Sequence, residues 1–336
     1  MKRIVYSKQD QIRFKEYTKL LDSLEPRVVR AFTEALASVE IEFALVRDLF
    51  EQQRFDDILS LIGFDRFERE FQRLVTPELE AIARRGQRWA VDELGDFPGI
   101  SEVNFAVFSP EVLIALQTQA AVLIKNTTDG QQQIVRRYLT DAFRQGRSSA
   151  SVAREIGDVV GLSQPQSIAV QNFSRAVDEF FAGDLTANQV RSRFRLSPGL
   201  RGNRDAIKTR YVTRQRLHRG RVIAREETMV GFSQGRKAAW GRMQETGTFS
   251  GVEVVEWLTT PDERACAICV PLHGQQIVLG GAWHSNQVGV VELPPAHIQC
   301  RCDVRVVLDP ANVRVSPERR EANQFLETRL TELTAP

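Results

Sequence analysis

The stretch VEVVEWLTTPDERACAICVPLHGQQIVLGG at 252–281 is where the character of the chain changes. Its first nine residues, VEVVEWLTT at 252–260, are β-branched and alternating, the pattern of a half-buried strand. QQIVL at 275–279 and CDVRVVL at 302–308 read as further short strands, with a Gly280-Gly281 turn after the first of them. Upstream, the pattern is helical almost throughout. The expected fold is therefore mainly α with a small C-terminal α+β domain: a helical arm and body, then short strands around a Cys/His cluster.

All four cysteines fall in this last region, as Cys266-x2-Cys269 and Cys300-x-Cys302. Three of the four histidines join them: His273, His284 and His297. Two closely spaced thiol pairs brought together supply the four ligands that zinc takes tetrahedrally. His297 and His273 stand close enough in sequence to substitute for a thiolate or to support one. Disulfides would need an oxidising compartment, for which the sequence gives no sign. A catalytic thiol is usually one cysteine activated by a neighbouring histidine, not four in paired spacing. Spacing alone favours a structural zinc site, and a reduced, metal-free cluster packed as small apolar groups stays open beside it. A zinc enzyme would keep one position free for water, and His284 or Glu292 would have to act without a recognisable motif.

Working outward, Phe32, Leu36, Val39, Phe43, Val46 and Phe50 recur at steps of four and three, which places them on one stripe of a helix. Phe64, Phe67, Phe71 and Leu74 form a second stripe, with Thr76 expected to cap a further helix opened by Pro77. Core packing is the expected role of both stripes. DFPGISEVNFAVFSPEV at 96–112 reads as a boundary, and Ser109-Pro110 as a helix start continued by Leu113, Leu116, Ala120 and Leu123. Helices are expected near 131–145, 148–158, 164–182 and 186–195, parted by Gly146, Gly161 and Gly183, with a loop at 196–204. A long helix then runs from about Asp205 past Met229, and SPERREANQFLETRLTEL reads as a solvated terminal helix. The domains expected are a helical arm (1–100), a helical body (101–250), the Cys-cluster domain (251–310) and a helical tail (311–336).

A net charge of +2 conceals an uneven distribution. Residues 191–225 hold twelve Lys/Arg and one acid, Asp205, whereas acids outnumber bases between Glu34 and Glu80. Arg210, Arg214, Arg216, Arg219 and Arg221 are the candidates for contacting phosphates, with no set of residues suited to reading bases. The alternative is a solvated helical face paired with the acidic arm or with a neighbouring subunit. No apolar run is long enough for a membrane span or a signal peptide, so a soluble protein made in a reducing cytoplasm is expected.

EWLTTPDERACAICVPLHGQQI together with PPAHIQCRCDVRVV resembles the signature of the phage Mu F-like, head-morphogenesis family of minor capsid proteins. Trp257, Asp262, Arg264, Cys266, Cys269, Leu272, Gly274, Pro295, His297, Cys300, Arg301 and Cys302 occupy the motif positions. Ile298 departs from the usual Pro after the His. RVIAREETMVGFSQGRKAAW at 221–240 is similar to the family's helix, with Glu226 where Thr is usual and Ser233-Gln234-Gly235 in place of Asn-x-Gly. The resemblance implies a structural protein with no catalytic residues, in several copies per virion. It would contact portal or major capsid subunits and packaged DNA, the last without sequence preference, and no membrane. It also implies structural roles for Trp257, Asp262, Arg264, Gly274, Pro295 and Arg301. A zinc-containing nuclease or toxin-like enzyme is the rival class.

Overall fold

The computed structural model describes residues 8–95, 110–195, 200–249, 253–260 and 265–307. Its helices are α1 (Lys8–Ala37), α2 (Phe43–Glu51), α3 (Phe55–Leu61), α4 (Phe64–Leu94), α5 (Pro110–Arg144), α6 (Ser149–Val159), α7 (Gln164–Ala182), α8 (Ala187–Phe194) and α9 (Arg204–Glu245). Strands β1 (Val254–Leu258), β2 (Gln276–Val278), β3 (Trp283–Ser285), β4 (Gly289–Val291) and β5 (Asp303–Val307) follow. The chain divides into two compact units built from interleaved stretches. The first comprises residues 1–28, 78–116 and 224–336, and the second 29–77 and 117–223.

In the second unit, the helices are delimited by local chemistry. Ser148 caps α6, and reciprocal boxes of Ser163 with Gln166 and Thr186 with Gln189 open α7 and α8. Gly146, Gly161 and Gly183 all take positive φ after a helix, a conformation glycine adopts without Cβ strain. One core gathers Val46, Phe50, Ile58, Ile62, Val135, Leu139, Val152 and Ile156. A second places Phe173 and Tyr211 in a stacked pair at 4.0 Å.

Three expected helix boundaries differ. The stripe from Phe32 to Phe50 belongs to two helices, because α1 ends at Ala37 and α2 begins at Phe43. Ser38 ends α1 by donating both its amide and its hydroxyl back to the Ala35 carbonyl. Pro77 opens no new helix and Thr76 caps nothing: both lie inside α4, where the Thr76 hydroxyl is buried without a partner. The fully buried Val75 and Leu79 on either side of Pro77 hold the helix through the donor it lacks. The helix expected from 131 is the second half of the continuous α5, since Gly130 is helical. The expected terminal helix and most of the 96–112 boundary lie outside the described residues.

In the first unit, β1 is the centre of an antiparallel sheet ordered β2-β1-β5, with Val254 opposite Val278 and Val307. The three strands expected from alternation are all present. A second hairpin, β3-β4, pairs Trp283 with Val291 and was missed, although Asn286 and the positive-φ Gly289 signal its turn. Trp257 and Trp283, both buried, meet edge to face at 5.1 Å.

Two contacts fix this unit. First, α4 and α9 touch backbone to backbone. A Cβ on Gly86 would lie 2.0 Å from the Phe232 carbonyl oxygen, and one on Gly235 would lie 1.8 Å from that of Ala83. Second, four buried charges close a ring. Asp303 of β5 takes Arg13 of α1 at 2.7 Å and Arg236 of α9 at 2.5 Å. Glu93 of α4 takes the same two arginines at 2.9 and 3.0 Å. Both guanidiniums also donate to the Val304 carbonyl, and Glu93 accepts the Val306 amide. The outer edge of β5 thereby has side-chain partners.

Gly235→Ala should lower the unfolding free energy by about 1–3 kcal/mol, because the added methyl meets backbone that cannot yield. Gly241→Ala, with open space around the site in the same helix, should raise it by about 0.5–1 kcal/mol. Urea melts of both variants check the pair. A pH dependence also follows from the ring. Burial alone would raise the Asp303 carboxyl, but Arg13 and Arg236 outweigh it and hold it below its ordinary value. A carboxylate depressed in the folded state adds stability above its unfolded pKa and loses it as pH falls through the lower folded value. Stability should therefore fall on acidification below about pH 4. Asp303→Asn should flatten that fall while costing about 3–5 kcal/mol at neutral pH through the unpaired arginines.

Candidate metal centre

Two short turns build the site. After β1, Cys266 accepts the amides of Cys269 (3.1 Å) and Val270 (3.0 Å) through its carbonyl, and a 3-10 turn (Val270–Leu272) follows. In the loop before β5, His297 accepts the Cys300 amide at 3.0 Å in the same way. The segments thus form two like knuckles, Cys266-x2-Cys269 and His297-x2-Cys300, each aiming its end residues at one point. Strand-end threonines hold them in place: Thr259 Oγ1 donates to the Cys269 carbonyl and Thr260 Oγ1 to that of Arg301, both at 2.8 Å.

His297 Nε2 lies 3.1 Å from Cys266 Sγ and 3.0 Å from Cys269 Sγ, and Cys269 Sγ lies 3.8 Å from Cys300 Sγ. A tetrahedral zinc with bonds of ~2.0–2.3 Å has ligand atoms ~3.5–3.8 Å apart; the Cys269–Cys300 distance matches that spacing and the two His297–sulfur distances are about half an ångström shorter. His297 Nδ1 is 2.8 Å from the Ile298 carbonyl. Donating there leaves the Nε2 lone pair facing the sulfurs, the tautomer a metal requires. Cys302, fully buried, directs its Sγ to Thr259 Oγ1 at 3.7 Å and belongs to a donor triad with Cys269 and Cys300. Cys269 is common to both triads, the other being Cys266, Cys269 and His297. All four thiols are free of disulfides.

A hydrogen bond from Cys269, reinforced by His297, lowers the Cys266 thiol to about 4. Hydrogen bonds to Cys266 and then Cys300 raise His297 to about 10. Cys269 is pushed up, chiefly because it is the thiol that donates to Cys266. A thiol lowered and an imidazole raised by the same contacts form a donor set from which a cation would displace protons. The five residues can hold a metal.

Among the other residues expected here, Gly274 takes positive φ and donates its amide to the Trp257 carbonyl at 2.8 Å. Pro295 lies in the loop that leads to His297, beside Pro294, whose carbonyl accepts Ser233 Oγ at 2.5 Å. Asp262 and Arg264 lie outside the described residues. His273 is no ligand, because its Nδ1 accepts the Thr259 amide at 3.1 Å. His284 is exposed on the β3-β4 hairpin, and Glu292 pairs with Lys237 at 2.7 Å. Thr259, Arg236 and Asp303 were missed as supports; an acid inside the apolar run CDVRVVL was the available signal.

Of the five arginines suited to phosphate, Arg210, Arg214 and Arg221 are exposed. Arg216 instead turns to the end of α6, donating to the carbonyls of Gly157 and, at 2.9 Å, Val160. Arg219 is half-buried, and burial lowers both groups' pKa.

These features define a mainly helical protein with a small sheet organised around a closed thiol–imidazole cluster. The family model described as "Phage Mu protein F like protein" matches residues 133–305, just over half of the 336 residues, and the chain belongs to that family. Its functional class is phage head morphogenesis. No curated protein and no solved structure matched the chain, and no described helix is long and apolar enough to cross a membrane.

Replacing Cys269, the donor common to both triads, should weaken metal binding more than replacing Cys266 or Cys302. Cobalt titrations followed by the thiolate charge-transfer band of the three Cys→Ser variants check this order.

Proposed function

We propose that the chain is a minor head protein of a tailed phage or prophage, acting in head assembly at the portal or the capsid interior. A structural zinc ion pins its small sheet domain, and α9 contacts packaged DNA without sequence preference. The family match over 133–305, which takes in both the cationic part of α9 and the Cys/His cluster, carries this reading.

For zinc, the two like knuckles favour Cys266, Cys269, His297 and Cys300 as ligands, with Cys302 as a buried thiol beside them. The ion would neutralise the thiolates and lock two turns to the sheet. Four protein ligands leave no position for a reactive water, which supports a structural role over a zinc nuclease. For DNA, Arg210, Arg214 and Arg221 fall at i, i+4 and i+11, a line about 16 Å long on one face of α9. Arg214 and Arg221 have no ion-pair partner among the described residues. Such a line supplies charge for a phosphate backbone and nothing that reads bases.

Two measurements test the proposal. The protein should be found in purified DNA-filled heads in several copies and should sediment with the portal; its absence from heads would contradict the assembly role. Affinity for unrelated duplexes should fall steeply with salt, and Arg210→Gln, Arg214→Gln and Arg221→Gln together should flatten the log–log slope by about 3. Binding that hardly responds to salt would contradict the DNA contact.

A further inference from the structure

Residues 112–124, in the first half of α5, include no charged side chain. One side of this stretch is core, since Leu116, Ala120 and Ile124 are buried. The opposite side is bare. Ile114 and Val122 are 61% and 52% exposed, and Ala115, Thr118 and Ala121 are exposed between them. A helix with one face in water ordinarily carries charge on that face, whereas one that is apolar all round is covered all round. The five exposed residues fall within an arc of about 120°, so they form one continuous face.

Their order reads nearly the same in both directions from Thr118. Alanine stands three residues to either side, as Ala115 and Ala121, and a branched aliphatic residue stands four to either side, as Ile114 and Val122. Seven residues to either side are Glu111 and Lys125, opposite in charge. α5 is unbroken from Pro110 to Arg144, so the helix alone fixes this register, and the set runs about 21 Å along its axis.

We propose that this face of α5 is a self-association surface, on which two copies of the chain pair their helices antiparallel about a twofold axis at Thr118. A twofold contact needs a patch that complements itself after half a turn, and the symmetric order supplies one. Ile114 lies against the partner's Val122, and Ala115 against the partner's Ala121, where the small side chains let the helix axes approach. Thr118 meets the partner's Thr118, and each hydroxyl can donate or accept. Position 111 of each helix stands across from position 125 of the other, glutamate against lysine. A parallel pair would set like charge against like at both ends, which disfavours it. One pair of helices is small beside the ~800 Å² that each partner covers in a standard stable interface, so the dimer is weak and fills as concentration rises. The contact depends on neither the zinc nor the DNA reading.

Sedimentation velocity of the full chain over a concentration series tests it. Wild type should pass from monomer to dimer. Thr118→Arg, which brings two like charges together at the axis, should weaken that step by about tenfold or more. Ile168→Lys, at an exposed apolar residue of α7, should leave it unchanged. Ile114→Asp and Val122→Lys should each lose the dimer alone and regain it when mixed, because the new carboxylate of one copy then faces the new ammonium of the other. Mixing is its own control for folding, since two misfolded chains would not restore each other. A wild type that stays monomeric at every concentration overturns the proposal and leaves the face to a different protein. A dimer that tolerates Thr118→Arg, that is lost equally in Ile168→Lys, or that mixing fails to restore overturns it as well.

Discussion

The first unit depends on four charges that cannot be buried singly. Arg13, Glu93, Arg236 and Asp303 come from α1, α4, α9 and β5, and each carboxylate is shared by both arginines. Asp303 and Arg236 are almost wholly inaccessible, at 1% and 2% exposed. A lone ion in such a place costs several kcal/mol, so removing any one member exposes the cost of the others. The ring as a whole adds less to net stability than to specificity, because only one arrangement of three helices and a strand satisfies all four charges. The contact of Gly86 and Gly235 with opposing backbone belongs to the same arrangement, since it sets how near α4 comes to α9. Arg236 also lies over the Trp240 ring at 4.8 Å, and Arg13 over Trp89 at 5.6 Å, which packs the cations against apolar surface.

The Cys/His cluster lies directly upstream in sequence from this ring. Cys302 precedes Asp303, and its carbonyl accepts the Tyr17 hydroxyl at 3.3 Å. The strand that the ring clamps follows one knuckle directly, while the end of β1 reaches both, through Thr259 to the Cys269 carbonyl and Thr260 to the Arg301 carbonyl. Charge ring and thiol cluster meet at one end of a short sheet, where Leu258 of β1 faces Asp303 of β5, and that sheet is too small to supply a core of its own.

Much of this was legible in the sequence where the signal is local. Period-two alternation gave β1, β2 and β5, and the three helix-ending glycines named their own breaks because each needs positive φ. Cysteine spacing located the cluster. What could not be read depends on tertiary placement. Pro77 looked like a helix start, and only the burial of its flanks keeps it inside α4. The turn from His297 to Cys300 is closed by one backbone hydrogen bond that spacing cannot reveal. Of the cationic run, spacing could not tell that Arg216 turns to carbonyls of its own unit while Arg214 and Arg221 face solvent. Asp303 read as part of an apolar strand because its partners lie 67 and 290 residues away.

The most direct measurement is X-ray absorption at the zinc edge on the full chain purified without chelator. The expected result is one bound zinc with three sulfurs at about 2.3 Å and one imidazole nitrogen at about 2.0 Å. Protein that folds without metal, or an all-sulfur shell with no nitrogen, would contradict the two-knuckle centre.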